Sequence, residues 1–136
     1  MPFELRDHTA DIAVEATGTT LGAVFAAVAG GMTAAMAEEI PATGDRFAFT
    51  VTAEGREALL FDYLDRLIYE RDVRQILPVD HEASVTGASE EWTVEASARG
   101  VPLADVVARD LKAVTYSEME LAERDGEWYA YVVFDV

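Results

Sequence analysis

Trp128-Tyr129-Ala130-Tyr131-Val132-Val133-Phe134 is the stretch that decides the fold, because it is apolar on both faces of an extended strand. Side chains alternate between the two faces of a strand, so residues 128, 130, 132 and 134 share one face and residues 129, 131 and 133 share the other. A strand that is apolar on both faces belongs in the middle of a sheet. We therefore predict a central strand over residues 128–136.

The chain stops directly after this strand, at Asp135 and Val136. A carboxylate side chain and a terminal carboxylate are thereby expected beside the core. Buried charge is costly unless it is paired or coordinated to a metal ion. A third carboxylate nearby would require a cation, and the alternative is a strand end that frays into water.

The remaining sequence predicts one domain around this strand. Apolar residues at helical spacing predict two main helices, over residues 21–37 with Thr19 or Thr20 as the N-cap, and over residues 56–71. Alternating patterns predict strands at residues 3–5, 12–16, 47–53 and 92–98, with weaker candidates at 76–79 and 82–85. Residues 112–123 predict a kinked strand that the Asp125-Gly126 turn joins to the last strand. We classify residues 1–136 as a single two-layer α+β domain, with two main helices packed on a largely antiparallel or mixed β-sheet.

The composition excludes several classes of site. The chain has no cysteine, which removes disulfides, thiolate metal sites and cysteine nucleophiles. No apolar run approaches the roughly 18 residues that a membrane helix needs. The N-terminus lacks the basic region and apolar stretch of a signal peptide. We therefore expect a cytoplasmic protein that does not bind membranes.

The charge balance argues against direct binding to RNA. The net charge is −16, the isoelectric point is about 4.2, and Lys112 is the only lysine. Such an acidic surface resembles those of proteins from salt-loving archaea, where the Debye length falls to roughly 3 Å near molar salt. At ordinary salt this charge repels phosphates, so we expect no strong nucleic-acid binding and assign any RNA chemistry to a partner.

His8-Thr9-Ala10-Asp11-Ile12 joins two predicted strands and carries several polar groups. A histidine and a carboxylate in such a connection are compatible with acid–base chemistry or with metal binding. They are equally compatible with a structural histidine and with an aspartate that accepts hydrogen bonds from nearby backbone amides.

Lys112-Ala113-Val114-Thr115-Tyr116 is notable for its lysine. A lone lysine in a chain that otherwise uses arginine indicates a position that requires a compact ammonium, suited to a phosphate or a carboxylate. The alternative is a surface cation that only neutralises Asp110 or another nearby carboxylate. His81 lies in a polar stretch and is predicted to be solvated, and the Met32 and Met36 pair is predicted to lie in the core.

Three segments together resemble the archease family: residues 8–12, residues 112–116 and the terminal Asp135-Val136. The resemblance extends over nearly the whole chain, from about Phe3 to Val136. It implies a small α/β protein that binds Ca²⁺ or a similar divalent ion. It further implies a helper of the GTP-dependent tRNA-splicing RNA ligase, which joins an RNA 3′-phosphate or cyclic phosphate to a 5′-hydroxyl.

In the archease family the helper promotes transfer of GMP to the active-site histidine of the ligase and allows repeated turnover, without being the ligase itself. Carried over by position, the resemblance implies metal ligands at Asp11, Asp135 and Val136, and it implies that Asp11, Asp135 and Lys112 serve ligase activation, with His8 in support. Oxygen donors of this kind favour Ca²⁺, Mg²⁺ or Mn²⁺ over zinc.

Two positions depart from the family pattern. Ser117 follows the lysine motif where family members commonly have histidine, which leaves open any ligand or proton-transfer role at that position. Ala13 follows Asp11-Ile12 where glycine is frequent, which is a small local change.

Two other functions remain open from the sequence. A free-standing metal-dependent hydrolase would use Asp11, Asp135 and His8, and it predicts turnover by the isolated protein. A chaperone or adaptor for RNA-modifying enzymes predicts binding to many partners.

Overall fold

The computed structural model describes residues 3–8 and 11–136, with the backbone alone for residues 6–8. Within these residues, seven strands, two α-helices and one 3₁₀ turn follow one another in the order β1 (Phe3–His8), β2 (Asp11–Gly18), α1 (Leu21–Met36), β3 (Asp45–Ala53), α2 (Arg56–Arg74), β4 (Ile76–Ala88), β5 (Glu91–Pro102), the 3₁₀ turn (Leu103–Asp105), β6 (Ala113–Arg124) and β7 (Glu127–Asp135).

The strands form two antiparallel sheets instead of one. The first sheet has the order β1-β2-β7-β6 and the second the order β3-β5-β4. Each helix contacts strands of both sheets, and the buried side chains form one core cluster. The α+β class, with two helices on antiparallel strands, is confirmed.

The central position predicted for the last strand is also confirmed. β7 pairs with β2 on one side and with β6 on the other. Ala130, Val132 and Phe134 are buried on one face, and Val133 is buried on the other. The apolar pattern on both faces therefore follows from cover on both sides of the sheet.

α1 begins at a side-chain cap and lies very close to both sheets. The hydroxyl of Thr20 accepts a hydrogen bond from the Ala23 backbone nitrogen at 3.0 Å, as predicted for one of the two threonines. A Cβ atom on Gly22 would lie 2.3 Å from the Ala83 carbonyl oxygen of β4, and one on Gly31 would lie 2.5 Å from a methyl group of Val14 in β2. Glycine at these two positions allows the helix to approach both sheets.

α2 buries the apolar stripe that its spacing predicted and adds a charged group to it. Glu70 is buried and accepts hydrogen bonds from Arg66 at 2.7 Å and from Arg74 at 2.5 Å, one helical turn to each side. Although burial by itself raises the pKa of Glu70, the two guanidinium groups hold it below its usual value. Both arginines also lie over phenylalanine rings of β3, so they cover this edge of the core.

β4 is one strand with a bulge where the sequence predicted two short strands. The register with β5 shifts between Val79 and Glu82, and Asp80 has a positive φ of 50°. The bulge turns His81 inward, where its Nε2 lies 2.8 Å from the Thr33 hydroxyl of α1. The prediction of a solvated His81 was therefore wrong, because the residue lies within one continuous strand that packs on α1, and not in a polar stretch between two strands.

β6 has the kink that the sequence predicted. Its pairing with β7 is interrupted between Thr115 and Glu120, and Glu118 has a φ of 62°. The hairpin turn at Asp125-Gly126 is likewise confirmed, since both residues have positive φ. None of the described helices is long and apolar enough to cross a membrane.

Candidate functional site

The separated sequence motifs meet in one row across the first sheet. Asp11 of β2 stands directly opposite Asp135 of β7, and Ala113 of β6 stands opposite Asp135 on its other side. In β1, the backbone of His8 pairs with Asp11. Directly opposed residues project to the same face with Cβ atoms about 5 Å apart, so the fold brings Asp11 and Asp135 together as the resemblance implied.

The two carboxylates lie at the edge of the protein, not in its interior. Asp11 is half-buried, and Asp135 and Val136 are exposed. The burial cost that the sequence suggested for Asp135 therefore does not arise. Like charges directly opposite each other in a ladder are destabilising, and a shared cation would remove that repulsion.

The donor atoms suit a hard divalent ion, but the side chains alone are too few. Among the described residues, no group of three or more histidine, aspartate or glutamate side chains is placed to hold a metal ion. Asp11 and Asp135 supply carboxylate oxygens, and a main-chain oxygen of Val136 is the nearest further hard donor along the chain. The side chain of His8 lies outside the described residues, as do Thr9 and Ala10.

Lys112 is fixed to the row through its backbone. Its nitrogen donates to the Asp135 carbonyl oxygen at 2.8 Å, while its side chain is exposed. Within the part of the chain that the structure describes, no carboxylate lies at ion-pair distance from its ammonium group. Asp110 instead lies 3.8 Å from Arg71, so Lys112 does not serve to neutralise it.

Two arginines that the sequence did not single out hold the segment before Lys112. The buried Arg71 of α2 donates to the Leu111 carbonyl oxygen at 2.6 Å. Arg109 donates from its side chain to the Ala35 carbonyl oxygen at 2.7 Å, and from its backbone nitrogen to the Met36 carbonyl oxygen at 2.7 Å. A cation at the C-terminal end of α1 is also favourable to the helix dipole. The irregular segment that presents Lys112 is thus anchored to both helices.

The rest of the lysine motif is built into β6 and its kink. The Thr115 hydroxyl donates to the Val133 carbonyl oxygen at 3.0 Å, and Tyr116 stacks on Phe61 of α2 with ring centroids 4.1 Å apart. Burial and the neighbouring Asp62 raise the pKa of Tyr116. Ser117 is exposed within the unpaired part of β6.

Comparison with known proteins gives a consistent result. Residues 3–136 match the model of the archease protein family. A protein named archease from Methanosarcina barkeri is 33% identical and one from Methanosarcina mazei is 30% identical, each alignment covering 98% of this chain and 95% of the relative.

Solved structures agree with the sequence relatives. The solution structure of protein 1598 from Methanobacterium thermoautotrophicum has 28% identity and a TM-score of 0.87 over 99% of both chains. The crystal structure of a Thermotoga maritima protein described as an archease, possible chaperone, has 20% identity and a TM-score of 0.66, covering 96% of this chain and 94% of that one. At that identity the Thermotoga structure supports the fold alone.

Proposed function

This chain belongs to the archease protein family, and we propose that it is an accessory protein of the GTP-dependent tRNA-splicing RNA ligase. In this role it promotes guanylylation of the ligase's active-site histidine and sustains multiple turnover. The observation that carries the proposal is the row formed by Asp11, Asp135 and Ala113, with Lys112 bonded to Asp135 beside it.

We further propose that Asp11, Asp135 and a main-chain oxygen of Val136 hold one divalent ion, with Ca²⁺ first and Mg²⁺ or Mn²⁺ as the alternatives. Three oxygen donors leave coordination positions free for a partner's groups, and the ion would supply positive charge to phosphate oxygens there. Asp11 and Asp135 bind and orient the ion from adjacent strands, and the Lys112 ammonium adds a second positive charge directly before the neighbouring strand β6.

The net charge of the chain indicates which of the two proteins holds the RNA. With a net charge of −16, the chain repels RNA at ordinary salt, so the ligase holds the RNA and the accessory protein contributes at the ligase active site. The exposure of Asp135, Val136 and Lys112 supports this role, because all three can be reached by a protein surface.

The test is multiple-turnover ligation by the ligase of the same organism, with the chain added in substoichiometric amount. We expect ligated RNA well in excess of one equivalent per ligase only when the chain is present. Equal product with and without the chain would contradict the proposal. Turnover of RNA by the chain alone would favour the hydrolase.

The sequence also left open a second candidate for this chain, an adaptor of wider range. Such an adaptor would protect an unrelated RNA-modifying enzyme from heat aggregation as well as it protects the ligase. An activator specific to the ligase would leave the unrelated enzyme unaffected.

A further inference from the structure

We propose that the cleft at the C-terminal end of α1 is the docking groove for the ligase, and that it takes an apolar segment flanked by basic residues. The inference rests on the proposed function, because it names where that partner binds. The cleft has a volume of about 780 Å³ and lies between β1, the end of α1 with residues 37–41, and residues 105–109.

The cleft gathers apolar side chains that the fold leaves in water. Of the seven exposed large hydrophobic side chains among the described residues, three line it: Leu5, Ile40 and Val107. Val107 is 94% exposed. Single exposed apolar residues are ordinary on a protein surface, but a group of them in one concave site is typical of a binding surface.

The exposure of Val107 is fixed by the backbone around it. The Val106 nitrogen donates to the Leu103 carbonyl oxygen, and the Arg109 nitrogen donates to the Met36 carbonyl oxygen at 2.7 Å. The Arg109 side chain adds hydrogen bonds to Ala35. The wall that carries Val107 is therefore formed before any partner arrives, which lowers the entropic cost of docking.

The charge around the cleft selects the kind of partner. Glu38, Glu39 and Asp105 are exposed on its lining, whereas Arg109, the cation among the described lining residues, donates to Ala35. An apolar segment with lysine or arginine beside it would match both the surface and the charge. A second copy of the chain is a poor occupant, because two molecules of net charge −16 repel each other.

Two parts of the chain connect the cleft to the row formed by Asp11, Asp135 and Ala113, which we call the carboxylate row: strand β1 and the segment before β6. Leu5 lies in β1, the strand whose end pairs with Asp11. Arg109 lies three residues before Lys112, whose nitrogen bonds to the Asp135 carbonyl oxygen. A partner held in the cleft is thereby placed next to Asp11, Asp135 and Lys112, as ligase activation requires.

The experiment measures the affinity of the purified ligase for the chain by calorimetric titration. Val107→Glu should weaken binding by about tenfold or more, since it places a charge in the apolar contact. The matched control is Val73→Glu, which makes the same change at another exposed valine, on α2. The control should bind within about twofold of the native chain.

A second pair of variants tests the charge without touching the apolar wall. The double change Glu38→Gln with Glu39→Gln should weaken binding at low salt, and the deficit should shrink as salt is added. The double change Glu90→Gln with Glu91→Gln alters the net charge equally, at the turn between β4 and β5, and should leave the affinity unchanged.

Native affinity for Val107→Glu, or equal weakening in either matched pair, would overturn the assignment of the cleft while leaving the proposed function intact. A native chain that neither binds nor stimulates the ligase would overturn both. Sedimentation of the chain alone as a dimer that Val107→Glu converts to a monomer would make a second copy the occupant, and would likewise overturn the assignment.

Discussion

Lys112 combines a fixed backbone with an exposed side chain. Its nitrogen is tied to Asp135, and the preceding Leu111 is held by Arg71. It is the one lysine among ten basic residues, and its ammonium group is exposed. This arrangement holds a compact positive charge at the protein surface, at a position set by the sheet.

We expect Lys112→Ala to abolish ligase stimulation while leaving the melting temperature near that of the native chain. Lys112→Arg should recover only part of the stimulation, because a planar guanidinium does not replace a compact ammonium at a tight site. Arg124→Ala, which removes a positive charge near the opposite end of the same hairpin, is the control. A native guanylylation rate with Lys112→Ala would reduce this lysine to a surface charge.

His81 is a second residue whose surroundings decide its chemistry. The Thr33 hydroxyl has two carbonyl acceptors for its one proton, Pro78 at 2.7 Å and Ala29 at 3.1 Å, so it accepts from Nε2–H of His81. The Nδ1 atom is buried without a hydrogen-bond partner among the described residues. Burial lowers the pKa of His81 to about 4, Asp80 opposes the shift, and Arg46 adds to it.

Because the folded pKa of His81 is below its value in the unfolded chain, the unfolded chain takes up the proton first. Stability is therefore complete above the unfolded pKa of 6.5 and is lost as the pH falls toward about 4. We expect His81 to account for a loss of about 2–3 kcal/mol over that range. His81→Gln, which keeps a donor for Thr33, should flatten the curve of unfolding free energy against pH. An identical curve for this variant would remove His81 as the cause.

At the scale of the elements, the glycines of α1 differ in what they contribute: two permit close packing against the sheets, and one does not. Glycine inside a helix generally weakens it relative to alanine, and α1 contains Gly22, Gly30 and Gly31. In the structure, Gly31 faces Val14 and Gly22 faces the Ala83 carbonyl oxygen, whereas a Cβ on Gly30 would meet Phe3 at an ordinary 3.4 Å. The same residue type thus serves different purposes along one helix.

Gly30→Ala should stabilise the protein by up to about 1 kcal/mol, which is the difference in helix propensity. Gly22→Ala should destabilise it by about 1–3 kcal/mol, because the added methyl group meets the backbone of β4. Urea unfolding of the two variants measures the difference. Equal effects would show that helix α1 can move away from β4 at little cost.

Local periodicity predicted where the helices and strands lie better than it predicted which elements pack or pair with each other. The helices at residues 21 and 56 start where the sequence placed them, because capping and apolar spacing are local. Division into two sheets depends on long-range pairing that no local pattern records. The burial of His81 depends on the Thr33 hydroxyl of α1, which no local pattern places beside it. The roles of Arg71 and Arg109 likewise depend on carbonyl groups that only the fold brings near.

The site was predicted by resemblance more than by chemistry. Residue chemistry left Asp11 and Asp135 open to ordinary structural roles, since 124 positions separate them. The β2–β7 register places them opposite each other. Asp135 is exposed in the structure, so the burial cost expected from the sequence did not help to identify it.

At the scale of the whole molecule, a shared ion would join the first strands to the last. Binding to the folded state alone would raise the unfolding free energy by about 2.7 kcal/mol at a hundredfold excess over Kd. We expect Ca²⁺ to raise the melting temperature of the native chain relative to a chelator. Asp11→Asn and Asp135→Asn should both remove the rise, and Asp125→Asn, in the β6–β7 turn, should retain it. An unchanged rise in both site variants would place the ion elsewhere.

The most direct test of the carboxylate row is the single-turnover rate of ligase guanylylation with native chain, Asp135→Asn or Asp125→Asn. Both variants change an aspartate to asparagine. Asp135 lies at the end of β7 opposite Asp11, and Asp125 lies in the hairpin turn before β7. If the ligase uses the row, Asp125→Asn stimulates like the native chain and Asp135→Asn loses the stimulation while remaining folded. Native stimulation by Asp135→Asn would contradict the assignment of the row as the functional site.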